Sequence, residues 1–142
     1  MTGAVIGSAG VGANAATVTI MASATNAGGD DGLDMYNSEI RSVDGNIDID
    51  ATSAGDDGVA MIADALIRSL GSDPATPTLM VDGTSTGTGD GVDVEMSEIT
   101  TVDGDATVTG SATGANTDDG VVVSNDGLIA SLGPTAAAGT IT

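Results

Sequence analysis

An Asp-Gly turn followed by an aliphatic residue returns along this chain at Asp31-Gly32-Leu33, Asp57-Gly58-Val59, Asp90-Gly91-Val92 and Asp119-Gly120-Val121. A second landmark follows each one: Ser or Thr, then Val or Leu, then Gly within one residue. It is Ser42-Val43-Asp44-Gly45, Ser69-Leu70-Gly71, Thr101-Val102-Asp103-Gly104 and Ser131-Leu132-Gly133 in turn. The step from anchor glycine to aliphatic marker is 11 residues from Gly32 to Val43, 12 from Gly58 to Leu70, 11 from Gly91 to Val102 and 12 from Gly120 to Leu132. Two kinds of unit therefore take turns. Self-similarity at a near-constant period is the signature of a repeat architecture, in which each unit buries its apolar face only against its neighbours.

Direct alignment separates the two kinds. Shifted by 59, Asp31–Gly55 lies on Asp90–Gly114 with ten identities in 25 positions, among them Ser38-Glu39-Ile40 and Val43-Asp44-Gly45. Shifted by 62, Asp56–Gly71 lies on Asp118–Gly133 with ten identities in 16, and the opening Ala4–Gly10 resembles Ala65–Gly71. The chain thus reads as one segment, 1–142, of alternating coils: 1–28 a partial B coil, 29–55 A, 56–88 B, 89–116 A and 117–142 a partial B. Starting and stopping inside a unit is how an excerpt of a longer array looks.

Composition narrows what the units can be. The chain has no Cys, Trp, Phe, His, Lys or Gln, and Tyr36 is its one aromatic residue, so any core is built of Val, Ile, Leu, Met and Ala. Without cysteine there is no disulfide, and thiols say nothing about the redox compartment. Acidic residues number 21 against Arg41 and Arg68, for a net charge of −19. That balance excludes nucleic-acid binding, which needs clustered Lys and Arg to displace counterions, and disfavours anionic membrane surfaces. No apolar run approaches the ~18 residues of a membrane span, and the opening residues lack the basic n-region of a signal peptide. Acidic chains with few aromatics often fail to fold. Here the mean hydropathy is positive and the apolar residues are grouped in short runs, which favours a folded chain.

Those runs read as strands. Leu33-Asp34-Met35, Val92-Asp93-Val94, Ile47-Asp48-Ile49 and Ala106-Thr107-Val108 alternate apolar and polar, β-branched residues dominate, and Gly, Asp, Asn and Ser punctuate. The stretch Met61–Leu70 has helix-like spacing, but its equivalent Val94–Val102 does not, so a strand reading holds for both. Each unit then has about three short strands. The first follows the Asp-Gly turn (Val59–Ile62, Val121–Val123). The second surrounds Ile40–Val43, Leu66–Leu70, Ile99–Val102 or Leu128–Leu132. The third is Thr17–Met21, Asn46–Asp50, Thr78–Val81, Asp105–Thr109 or Thr140–Thr142. The expected fold is all-β: a parallel β-helix (β-solenoid) of four to five coils, each strand stacked ~4.8 Å from its equivalent. Val43, Leu70, Val102 and Leu132 are expected to form one inward ladder.

The phrases GDGVDVEMSEITTVDGDATVTGSATG (Gly89–Gly114) and DDGVVVSNDGLIASLG (Asp118–Gly133) resemble the repeats of filamentous-haemagglutinin-like large bacterial surface proteins. The likeness extends over practically the whole chain, and its motifs are ladder and turn residues rather than catalytic ones. It implies a right-handed parallel β-helix that serves as an extracellular or cell-surface shaft, adhesin or filament. Partners implied are further copies of the chain, joined end to end, and a cell-surface or matrix component. Membrane insertion is not implied.

The chief chemical feature is acid. With coils in register, Asp30, Asp31, Asp56, Asp57, Asp90, Asp118 and Asp119 form a carboxylate column along one corner, with Asp34 and Asp93 alongside. Like charges ~5 Å apart cost roughly 1 kcal/mol per pair in water. Two readings stand side by side. Either each Asp caps its own turn through Asx-type hydrogen bonds, or the column binds Ca²⁺, a hard cation that takes carboxylate oxygens. The nonapeptide calcium repeat fits Gly89–Asp93 only in part, since Glu95 stands at its hydrophobic place and the nine-residue period is missing. No EF-hand loop starts at Asp30.

Catalysis has little to work with. There is no His, Lys or Cys, Ser and Thr have no base to activate them, and acid pairs that recur in every coil differ from the single irregular place an active site occupies. The expectation is a protein that is not an enzyme and requires no cofactor. Arg41 and Arg68 hold the same offset from their markers and are expected to stack, with Glu39 as an ion-pair partner of little energetic weight. Tyr36 is expected to be a partly exposed strand residue. The Thr-x-Thr triplets 17–19, 107–109 and 140–142 raise ice binding as a minor alternative, but Asp48-Ile49-Asp50 and Thr76-Pro77-Thr78 interrupt that column.

Overall fold

Apolar and polar residues alternate over four to seven positions and then give way to Gly, Asp, Asn or Ser, so each run is long enough for one side of a coil and no more. The computed structural model describes residues 1–12, 15–71, 77–114, 118–133 and 142. Among them the strands are β1 (Val5–Ser8), β2 (Val18–Ala24), β3 (Leu33–Tyr36), β4 (Glu39–Ser42), β5 (Ile47–Ser53), β6 (Val59–Ile62), β7 (Leu66–Ser69), β8 (Leu79–Ser85), β9 (Val92–Glu95), β10 (Glu98–Thr101), β11 (Ala106–Ala112), β12 (Val121–Ser124) and β13 (Leu128–Ser131). No helix occurs among the described residues, and none is long and apolar enough to cross a membrane.

Three parallel sheets result. Face A is β12-β9-β6-β3, face B is β1-β4-β7-β10-β13 and face C is β11-β8-β5-β2. Following the chain visits A, B and C in rotation, and every strand pairs with its equivalent one coil away, for instance Ile40 with Ile67 and Ile67 with Ile99. This is a β-solenoid of about four turns, as the repeat predicts. The third strand is longer than expected, seven residues in all four copies. Met61–Leu70, the helix-like stretch, is strand, turn and strand.

The alternation of 11 and 12 has a local cause. In A coils two residues join the first strand to the second (Asn37-Ser38, Met96-Ser97), and in B coils three do (Ala63-Asp64-Ala65, Asn125-Asp126-Gly127). A coils turn with one left-handed residue, Asn37 (φ 47°) or Met96 (φ 48°). B coils use two, Ala63 (φ 54°) with Asp64 (φ 64°) and Asn125 (φ 46°) with Asp126 (φ 68°). The extra residue is absorbed at this corner, so the strands on either side stay in register.

Inward positions form fully buried ladders: Ile40, Ile67 and Ile99 on face B, Met35, Met61 and Val94 on face A, and Ile47 with Leu79 on face C. The expected inward ladder of Val43, Leu70, Val102 and Leu132 is corrected here. The first three are only partly buried and Leu132 is 56% exposed. Alternation places Ile40 inside, so Ser42 is inside too, and the residue after it lies past the strand end facing out. The inward column at that end is therefore hydroxyl: Ser42, Ser69 and Thr101, each 0% exposed. Ser42 Oγ accepts the Gly45 N–H at 3.0 Å and Thr101 Oγ1 accepts the Gly104 N–H at 3.1 Å, so the buried hydroxyls close the turn into face C. The residue equivalent to those donors after Ser69 is 72, which lies outside the described residues.

Candidate functional site

The acidic corner joins face C to face A. Each coil leaves its seven-residue strand, passes through Gly and Asp, and enters the next four-residue strand at the Asp-Gly-aliphatic landmark. Parallel stacking brings equivalent aspartates over one another, and they interlock. Asp57 N–H donates to Asp31 Oδ1 at 3.1 Å, Asp90 N–H to Asp57 Oδ1 at 2.7 Å, and Asp119 N–H to Asp90 Oδ1 at 2.7 Å. In return Gly32 N–H donates to the Asp57 carbonyl at 2.9 Å, Gly58 N–H to Asp90 O at 2.9 Å and Gly91 N–H to Asp119 O at 3.0 Å. Asp31, Asp57 and Asp90 thus each cap the backbone of the following coil, which corrects the reading in which they cap their own turns. The reason is the stacking itself: the nearest unpaired N–H comes from the coil above, at hydrogen-bond distance.

Hydroxyls brace the corner from inside. Ser53 Oγ donates to the Asp30 carbonyl while accepting the Gly55 and Asp56 N–H groups at 3.0 Å each. Ser85 Oγ donates to the Asp56 carbonyl at 2.7 Å. The backbone here passes so close to face C that a Cβ on Gly110 would collide with the Gly120 carbonyl.

Burial and crowding change the acids. Asp57 is pushed up from 3.8 to about 7, chiefly by burial, with the charges of Asp56, Asp31 and Asp93 adding to it and the Asp90 N–H opposing it. Asp31 is raised for the same leading reason, against the Asp57 N–H, with Asp56, Asp34 and Asp30 adding charge. Asp93 is raised by burial and then by Asp90, Glu95 and Asp31.

The seven expected ligand residues share a corner but not one site. Carboxylate oxygens of Asp31, Asp56 and Asp57 lie within 4.8 Å of one another, which makes them the tight group among the described residues. Asp90 continues the ladder one coil on, and Asp119, exposed, ends it. Asp30 is exposed and accepts Asn26 Nδ2 at 3.4 Å. Asp118 Oδ2 and Asp93 Oδ1 are enclosed and lack a hydrogen-bond partner among the described residues. Asp34 and Asp93 flank Ala60 in register on face A.

Arg41 and Arg68 stack in register, and Glu39 binds both. Tyr36 is 49% exposed. On face C the outward column runs Thr19, Asp48, Met80, Thr107, so an acid and a thioether part the threonines. Thr76 and residues 140–141 lie outside the described residues. Thr142 itself pairs with β11, through Val108 N–H to Thr142 O at 3.0 Å and Thr142 N–H to Ala106 O at 3.1 Å.

No protein-family model, curated protein or solved structure matches this chain.

The buried hydroxyls and left-handed corner residues escaped sequence reading. The landmark Ser or Thr was itself the signal for Ser42, Ser69 and Thr101, since it recurs in every unit. Asn37 and Asn125-Asp126 are residue types that tolerate φ > 0. Ala63 and Met96 gave no such sign.

Proposed function

We propose that the chain is a rigid structural or adhesive segment of an extracellular, cell-surface protein, akin to the filamentous-haemagglutinin-like shafts its repeats resemble. The observation that carries this reading is the unbroken coil-to-coil register on all three faces. A shaft needs axial ladders of hydrogen bonds and side chains that resist bending, and this chain spends its repeated residues on them. The acidic exterior keeps such a shaft hydrated and apart from other polyanions. Glycoside cleavage uses a pair of free carboxyl groups, and Asp31, Asp57 and Asp90 are instead engaged as backbone acceptors in successive coils, which supports the reading that the chain is not an enzyme.

Axial growth belongs to the same proposal. Val92 and Val94 are fully buried, whereas their register partners one coil on, Val121 and Val123, are 39% and 46% exposed. A further coil in register, from the same polypeptide or from a second copy, would bury them. Electron microscopy of the purified chain tests this: rods or filaments of uniform width are expected, and flexible threads or irregular particles would count against a shaft.

The closeness of Asp31, Asp56 and Asp57, with the raised Asp57, favours a second reading, a calcium-dependent surface-layer or adhesin module. β circular dichroism before and after EDTA separates the two. Loss of signal with chelator supports the metal-dependent module, and an unchanged spectrum supports the plain shaft.

A further inference from the structure

Two copies of a chain with 21 acidic residues and two side-chain cations repel each other over nearly their whole surface. Both cations sit together. Arg41 on β4 and Arg68 on β7 are register partners one coil apart, ~4.8 Å, and both face outward from face B because Ile40, Ser42, Ile67 and Ser69 face in. Arg68 Nε donates to Glu39 Oε1 at 2.7 Å, and Arg41 Nη1 lies 3.6 Å from Glu39 Oε2. One carboxylate between two guanidiniums leaves one positive charge uncovered, and the Arg41 side chain is 48% exposed. Gly7 makes room for it, since a Cβ there would stand 2.9 Å from Arg41 Cγ.

Face C carries the counterpart. Asp50 on β5 and Asp82 on β8 are register partners at the same one-coil spacing, and both are exposed. Neither has a hydrogen-bond partner among the described residues, whereas Asp31, Asp57 and Asp90 at the corner accept backbone N–H groups and Glu95 accepts Asn125 Nδ2 at 2.7 Å. Met21, beside Asp50 in register, is 81% exposed, and Met80, two residues before Asp82, is 47% exposed. Carboxylates with thioethers next to them suit an arginine: the fork binds the acid and the methylene stem covers the methionine.

We propose that face C of one copy docks against face B of a second copy, Asp50 and Asp82 meeting Arg41 and Arg68. This goes beyond the axial shaft: it joins shafts side to side. Because two different faces meet, the contact is heterologous and continues into open rows.

Sedimentation equilibrium of the whole chain at ~0.15 M salt tests it, with the doubles R41Q/R68Q and D50N/D82N. Wild type is expected to self-associate, and each double to weaken association roughly tenfold or more. A one-to-one mixture is expected to regain wild-type lateral strength but to join shafts only two across, since R41Q/R68Q keeps an acid face and D50N/D82N an arginine face. The proposal is overturned if wild type stays monomeric at millimolar concentration, if D50N/D82N associates like wild type, or if the mixture does no better than its parts. Axial growth lengthens rods without needing either pair, so its failure shows separately in micrographs.

Discussion

The acidic corner between faces C and A and the left-handed corner between faces A and B both turn the chain sharply, yet by opposite means. At the acidic corner glycine removes side chains where backbones crowd: a Cβ on Gly91 would meet Ser111 N and the Gly120 carbonyl. Coil then locks to coil through Asp carboxylates. At the other corner backbones are forced to positive φ at residues as unsuited as Met96 (φ 48°) and Ala63 (φ 54°). There the locking group is a small buried hydroxyl: Ser97 Oγ accepts the Ala65 N–H at 3.2 Å and donates to the Glu95 carbonyl at 2.8 Å. The comparison teaches that the Asp-Gly glycines of one corner admit no added atom, while the other admits side chains everywhere but Gly127 and carries conformational strain. Length varies at both corners: five residues (54–58), six (86–91) or eight join face C to face A, against two or three from face A to face B.

Substitutions can break or sharpen this contrast. The largest effect is expected from Gly91→Ala, whose methyl group has only backbone to displace. A loss of about 3 kcal/mol or more in urea unfolding, or failure to fold, is anticipated, and a mild effect would mean the acidic corner is not sterically closed. Ser97→Ala comes next, at about 1–3 kcal/mol, because it strands the buried Ala65 N–H; chemical denaturation at fixed pH reads it.

The acidic corner is expected to respond to pH. With Asp57 near 7 in the fold and 3.8 as its ordinary value, the folded chain holds a proton that the unfolded chain releases. Its stabilising contribution is therefore complete below about pH 4 and is lost as pH rises through about 7. Melting temperature should fall from pH 5 to pH 8, and Asp57→Asn, which keeps an oxygen for the Asp90 N–H, should flatten that slope more than Asp48→Asn on the open face. Equal slopes in the two variants would assign the effect to net charge instead. The smallest expected change is a gain: Met96→Gly should relieve about 1 kcal/mol of left-handed strain, read as a raised melting temperature. The same exchange at Val94, buried in a strand, should be strongly destabilising.

Much of this was legible in the chain. The spacing of the Asp-Gly landmark implied coils, and period-2 alternation located strands to within a residue or two on faces A and B. The triplet alone was not enough. Asp126-Gly127-Leu128 repeats its letters, yet it forms the left-handed corner, with Gly127 N–H bonded to the Ser124 carbonyl at 2.8 Å. Position within the period, not identity, set its role. The inward ladder was misplaced by one residue at Val43 because a bulky aliphatic reads as core and a serine does not, whereas alternation from Ile40 forces Ser42 inside.

By itself the order of residues determined that this chain coils, how many strands each coil has, and that acid recurs along one edge, because those properties depend on spacing and composition alone. Only the tertiary structure decided what each acid holds. Whether a carboxylate caps its own turn or its neighbour's depends on which N–H lies within about 3 Å, and that distance exists only once coils have stacked.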